Sequence, residues 1–105
     1  MNPLLPPGNL DAPAIVRASK SSFVPAFRLL PTGRRHDLET FYAFCRVVDD
    51  MADRGPHPPA FRKEALEAWR AGFRAADLPG LPGNLASLIR RRNLDRNLFL
   101  ELLDG

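Results

Sequence analysis

From Arg34 to Asp53 the chain repeats its apolar positions every 3.6 residues, at Leu38, Phe41, Tyr42, Cys45, Val48 and Ala52. That period belongs to an α-helix with one buried face. About twenty residues at 1.5 Å each give a rod roughly 30 Å long. Pro31-Thr32-Gly33 precedes it, and Gly55-Pro56-His57-Pro58-Pro59 stops it. Any fold open to this chain has to be assembled around that rod.

The remaining segments agree with it. A helix over 60–76 would place Phe61, Ala65, Leu66, Trp69, Gly72, Phe73 and Ala76 on one face, with Arg62, Lys63, Glu67, Arg70 and Arg74 on the other. Its aromatics read as core. Asp11 can cap a short helix over 12–20, with Pro13 tolerated in the first turn. Ser19-Lys20-Ser21-Ser22 interrupts it, and a second short helical piece is expected to carry Phe23, Ala26, Phe27 and Leu30. Beyond the connector 77–83, Asn84 and Asp95 look like N-caps of two further helices, carrying Leu85, Leu88 and Ile89, then Leu98, Phe99, Leu102 and Leu103. No segment sustains apolar–polar alternation, so an all-α architecture is expected. Residues 1–9, rich in proline and glycine, read as a flexible leader, and 10–105 as a partial helical domain. The last helix has an apolar side with too few neighbours in the chain to cover it. The chain is therefore expected to be the front part of a larger helical protein.

With 105 residues there is room for one modest core. The net charge of +3 comes from arginines spread along the chain, apart from Arg90-Arg91-Arg92, and nucleic-acid binding is not expected. Cys45 is the single cysteine, which excludes an internal disulfide and a cysteine-rich metal site; it reads as a small buried hydrophobe. No apolar run reaches the ~18–20 residues that cross a bilayer, and no secretory leader is evident. The expected setting is the cytoplasm, free or peripheral to the inner membrane face.

The chemistry concentrates at the end of the long helix. Residues three and four apart share a helix face, so Tyr42, Arg46, Asp49 and Asp53 form one stripe, with Asp50 beside it. Carboxylates are disfavoured at a helix C-terminus by its dipole, yet three cluster here, which argues against an ordinary solvated face. Carboxylates one turn apart suit Mg2+, which prefers oxygen ligands and is commonly shared with substrate phosphates. Arg46 can grip phosphate oxygens in a forked contact, and Tyr42 can present an electron-rich ring to a cation. Together they suit a metal-bound phosphate beside an apolar ligand. His36 and His57 lack ligand partners at useful spacing and read as surface residues. Ser21 and Ser22 have no His or Asp partner, which leaves capping or phosphate contact.

Ser21-Ser22-Phe23, Phe27-Arg28-Leu29-Leu30-Pro31, Arg34-Arg35 and Tyr42-Ala43-Phe44-Cys45-Arg46-Val47-Val48-Asp49-Asp50-Met51-Ala52-Asp53, in that order and spacing, resemble the squalene/phytoene synthase family. The match is specific over 15–54 and looser to the end, through Leu66, Trp69-Arg70 and Phe99-Leu100-Glu101-Leu102-Leu103-Asp104-Gly105. The resemblance implies the N-terminal portion of an isoprenoid synthase bundle around a central cavity. It implies magnesium-dependent, head-to-head joining of two prenyl diphosphates, farnesyl (C15) or geranylgeranyl (C20), through a cyclopropyl intermediate. Reduction with NADPH is left open. By the same resemblance, Asp49, Asp50 and Asp53 would hold magnesium–diphosphate and Arg46 would contact the diphosphate. Ser22 and Phe23 would lie at the substrate's head end, and Tyr42 would line the cavity near the reacting carbons. Where some members carry a histidine four residues before that phenylalanine, this chain has Ser19. The family's second acidic motif lies on a later helix, so the 105-residue piece alone is expected to be inactive. The alternative is a non-catalytic helical relative acting as a scaffold or assembly factor. Such a protein would be expected to lose some of the acids kept here.

Overall fold

A computed structural model describes residues 2–19, 31–52 and 57–104. Within them lie five helices: α1 (Ala12–Ser19), α2 (Thr32–Ala52), α3 (Pro59–Arg74), α4 (Gly83–Arg92) and α5 (Arg96–Asp104). There is no strand among the described residues, so the all-α expectation holds. The short helical piece expected around Phe23 and Leu30 lies outside them.

The long helix is the hub, since α2 packs against α1, α3, α4 and α5 in turn. Phe44 supplies the centre of the core, fully buried with Trp69, Phe73 and Phe99. Its ring centroid lies 5.5 Å from Trp69, 5.5 Å from Phe73 and 5.4 Å from Phe99. Aromatic rings at such separations and tilts gain attraction beyond their buried area. The predicted apolar face of α3 is thus core, as its spacing indicates. That helix stops at Arg74 rather than at 76, because Ala75 turns extended, with ψ near 140°. The chain then folds back on α3, where a Cβ on Gly72 would stand 2.8 Å from Leu81 Cδ2 and 3.3 Å from the Gly80 carbonyl carbon.

Capping follows the sequence at two places and departs at a third. Asp11 Oδ1 accepts from the Ala14 amide at 3.3 Å, and Asp95 Oδ1 from the Asn97 amide at 2.9 Å. Asn84 does not cap its helix; Pro82 holds the N-cap position of α4. The Asn84 side chain is drawn instead to the N-terminal segment. Its Oδ1 accepts from the Leu10 amide at 2.9 Å, and its Nδ2 donates to the Leu10 carbonyl at 2.8 Å.

That pairing is one of several contacts made by the non-helical N-terminal segment. The Gly83 amide donates to the Gly8 carbonyl at 2.6 Å and the Asn84 amide to Asn9 Oδ1 at 3.1 Å. The Trp69 indole N–H donates to the Leu4 carbonyl at 3.1 Å, and Asn2 Nδ2 to the Phe61 carbonyl at 2.8 Å. Leu4 and Leu10 are buried in the core. Proline and glycine keep this stretch from coiling, but they leave its apolar side chains and backbone groups able to dock. Among the described residues no helix is long and apolar enough to cross a membrane.

Candidate functional site

Helix α2 continues unbroken through Ala52, so the turn carrying Tyr42, Arg46, Asp49 and Asp50 is helical as predicted. The first acceptor of its ladder is the Pro31 carbonyl, which takes the Arg35 amide at 2.9 Å. Phe44 and Met51 turn into the core, while Arg46, Asp49 and Asp50 are exposed and Tyr42 is half-buried. At 100° per residue the stripe points away from the Phe44–Met51 side. A helix that buries one side and holds a cation and carboxylates on the other presents them to whatever approaches.

Arg46 pairs with one of the acids. Its Nε lies 3.8 Å from Asp50 Oδ1, an i,i+4 pair with about half of each side chain exposed, at 47% and 55%. Such surface pairs are worth ~0–1 kcal/mol and exchange readily for a better anion. Asp49 lies one helical turn beyond Cys45. Burial pushes the Cys45 thiol up from its ordinary value, and the nearby Asp49 carboxylate adds to the rise. Cys45 is only half-buried rather than fully buried, and a raised pKa keeps it a thiol, not a nucleophile.

Asp53, Ser22 and Phe23 lie outside the described residues, as does Ser21. Among the described residues no three His, Cys, Asp or Glu side chains gather to hold an ion. Asp49 and Asp50 supply hard, exposed oxygen donors on one turn, a donor set that fits Mg2+ with water and substrate oxygens completing its shell. His36 is exposed and His57 half-buried, and neither joins the site.

Two features went unread in the sequence. Asp37 is held between Arg91 (Nη2 to Oδ1, 2.9 Å) and Arg92 (Nη2 to Oδ2, 2.8 Å), tying α2 to α4. The Arg91 hydrogen bond, opposed by partial burial and joined by Arg92, holds its carboxyl below the usual 3.8. A signal existed: Asp37 lies four and seven residues before Phe41 and Phe44, on the buried stripe, where an acid needs partners. The second feature is the leader. Leu5, Ile15, Val47 and Asp50 line one cleft of about 230 Å³, so the N-terminal segment forms a wall beside the acidic turn. Farther up α2, Leu38 and Phe41 join Leu88, Leu94 and Leu98 around an apolar groove of about 420 Å³.

Comparison with known proteins gives this arrangement a family context. The family model described as squalene/phytoene synthase matches residues 16–105. The presqualene diphosphate synthase of Zymomonas mobilis is 36% identical over 100 residues, covering 90% of this chain and 34% of that relative. The presqualene diphosphate synthase of Rhodopseudomonas palustris is 39% identical over 89 residues, covering 81% of this chain and 31% of its own length. The phytoene synthase of Rhodobacter capsulatus is 33% identical over 98 residues, with 87% and 28% covered. The chain therefore spans about a third of the length of these curated relatives. No solved structure gives a significant match.

Proposed function

The chain belongs to the squalene/phytoene synthase family, and from that premise we propose that it forms part of a transferase that joins two prenyl diphosphates, C15 or C20, head to head. The observation that carries this reading is the outward face of α2. There Tyr42, Arg46, Asp49 and Asp50 lie within three turns of one rigid helix, turned away from its core.

Arg46 binds the diphosphate, exchanging its 3.8 Å pair with Asp50 for a forked phosphate contact. Asp49 and Asp50, with Asp53, would hold Mg2+, which neutralises charge on the departing diphosphate when bound. Tyr42 turns its ring toward the allylic carbons and favours the positive charge that develops there. Phe44, locked among three aromatic rings, fixes the rotation of α2 and so keeps the stripe aimed outward. The N-terminal segment, through Leu5 beside Ile15 and Val47, walls one side of the acidic turn. By itself the 105-residue chain supplies one side of such a cavity and is expected to show no turnover.

The test is a chimera in which this chain replaces the matched third of the Zymomonas mobilis relative, assayed with radiolabelled farnesyl and geranylgeranyl diphosphate. Magnesium-dependent consumption is expected, and Asp49→Asn and Asp53→Asn should each abolish it. Full activity in both variants would overturn the assignment. A folded chimera inert toward both substrates would favour the non-catalytic relative.

A further inference from the structure

Asp50 belongs to two surfaces at once. On the outward stripe it pairs with Arg46, its Oδ1 standing 3.8 Å from Nε. On its other flank, together with Val47 one turn before it, it lines the cleft of about 230 Å³ whose far wall is the N-terminal segment. Leu5, Pro7 and Leu10 of that segment and Ile15 of α1 stand around the same space. The segment has no helix, yet it is anchored. The Trp69 indole holds the Leu4 carbonyl at 3.1 Å, and the Leu5 amide closes a turn on the Asn2 carbonyl at 3.3 Å. Asn84 takes both backbone groups of Leu10, at 2.9 and 2.8 Å. Leu4 and Leu10 are buried, and Leu5 between them is left 36% exposed. A lone exposed leucine is ordinary on a protein surface. One held over a cleft by anchored neighbours on either side is a contact made in advance, with little ordering left to lose on binding.

Size and charge decide what fits. Sites that enclose a whole drug-sized ligand run to roughly 300–1,000 Å³, so this smaller cleft takes part of a longer molecule. The charged groups along it are two carboxylates, Asp50 and Asp11, the second of which caps α1 through the Ala14 amide. Both repel a phosphate, while the guanidinium that attracts one, Arg46, lies past Asp50 on the stripe. An anionic head on Arg46 and an uncharged apolar chain beside Val47 and Leu5 are therefore aligned by the two surfaces together. Residues 3–11 precede the span 16–105 that the family model matches, so the far wall lies outside the matched part of the chain.

We propose that this cleft is a subsite for the apolar chain of a prenyl diphosphate, and that Leu5 of the N-terminal segment is the specificity-determining residue that reads the chain. The inference rests on the reading of Arg46 as the diphosphate contact.

The chain, isotope-labelled at its Leu, Ile and Val methyls and at arginine Nε, is titrated in magnesium-containing buffer and followed by NMR. One titrant is inorganic diphosphate, the other farnesyl thiodiphosphate, an analogue that resists ionisation. Both are expected to move the Arg46 Nε signal. Only the analogue should move the methyls of Leu5, Ile15 and Val47, while those of Leu38 and Leu98, exposed elsewhere on the molecule, stay still. Leu5→Trp, which fills the cleft, and Leu5→Ser, which strips its wall, should each weaken the analogue by about tenfold, the lower end of what one methylene in an apolar pocket is worth. Neither should alter the affinity for inorganic diphosphate, and circular dichroism melting verifies that both variants fold. The proposal is overturned if the analogue does not bind, if it binds with the three methyls unmoved or with Leu38 and Leu98 responding instead, or if both variants bind it as wild type does. Arg46 answering to diphosphate while the three methyls stay silent defeats the chain subsite and keeps the head contact. The methyls moving while Arg46 stays silent supports the subsite and counts against the diphosphate role of Arg46 alone.

Discussion

Asp37 and Asp49 lie on the same helix, twelve residues apart, and have opposite fates. The Asp37 side chain is 14% exposed and is gripped by two guanidiniums from another helix. Asp49 is exposed, has no ion-pair partner among the described residues, and adds to the rise of the Cys45 thiol. A carboxylate whose hydrogen-bonding capacity is met inside the fold stabilises it and has little left for a ligand. One left unmet contributes nothing to folding and stays available for chemistry. The same residue type thus divides into a strut and a hand, and the division is made by what lies opposite each.

The division can be tested from its largest expected effect downward. In the chimera, Asp49→Asn should lower prenyl diphosphate consumption by about a hundredfold or more, as loss of a directly acting charge does. Its melting temperature should stay within about 2 °C of wild type, because no structural contact is lost. Asp37→Asn should do the reverse. Loss of two charge-assisted contacts to exposed arginines costs about 1 kcal/mol, or roughly 4–8 °C for a domain of this size, with activity changed only slightly.

The acid titration of that strut has a definite sign. The folded-state pKa of Asp37 is depressed, so its contribution is complete above the ordinary 3.8 and fades as pH falls from there toward the folded value. Thermal melts between pH 6 and pH 2.5 should show wild type losing its advantage over Asp37→Asn in that window. A constant gap would deny the pairing. The smallest effect belongs to Arg46→Gln. It should alter stability by no more than about 0.5 kcal/mol, since its partner pair is half exposed, while weakening the apparent affinity for substrate.

Much of the fold was readable because it is local. Spacing identified α2 and the buried face of α3, and the caps Asp11 and Asp95 are set by residues two or three positions away. What escaped is long-range. Asn84 has the chemistry of a cap but spends it on Leu10, 74 residues distant, and nothing near it in the chain announces that choice. The Asp37 clamp spans 54 and 55 positions. Where the leader docks was not legible, because the absence of helix propensity says how a segment does not fold, and nothing about what it packs against. At the acidic turn, sequence placed Tyr42, Arg46 and Asp49 on one helix but not the pairing of Arg46 with Asp50. Asp53, Ser22 and Phe23, outside the described residues, keep their roles as part of the proposal only.

Trp69 is the sole tryptophan of the chain, and its indole is both fully buried and tied to the Leu4 carbonyl. Nature has thereby placed a fluorophore under the N-terminal segment. Emission excited at the indole band should report detachment of residues 2–10 as a red shift. Denaturation followed at that wavelength and by helical ellipticity gives two separate curves only if the segment leaves apart from the helices, and one curve if core and segment part together.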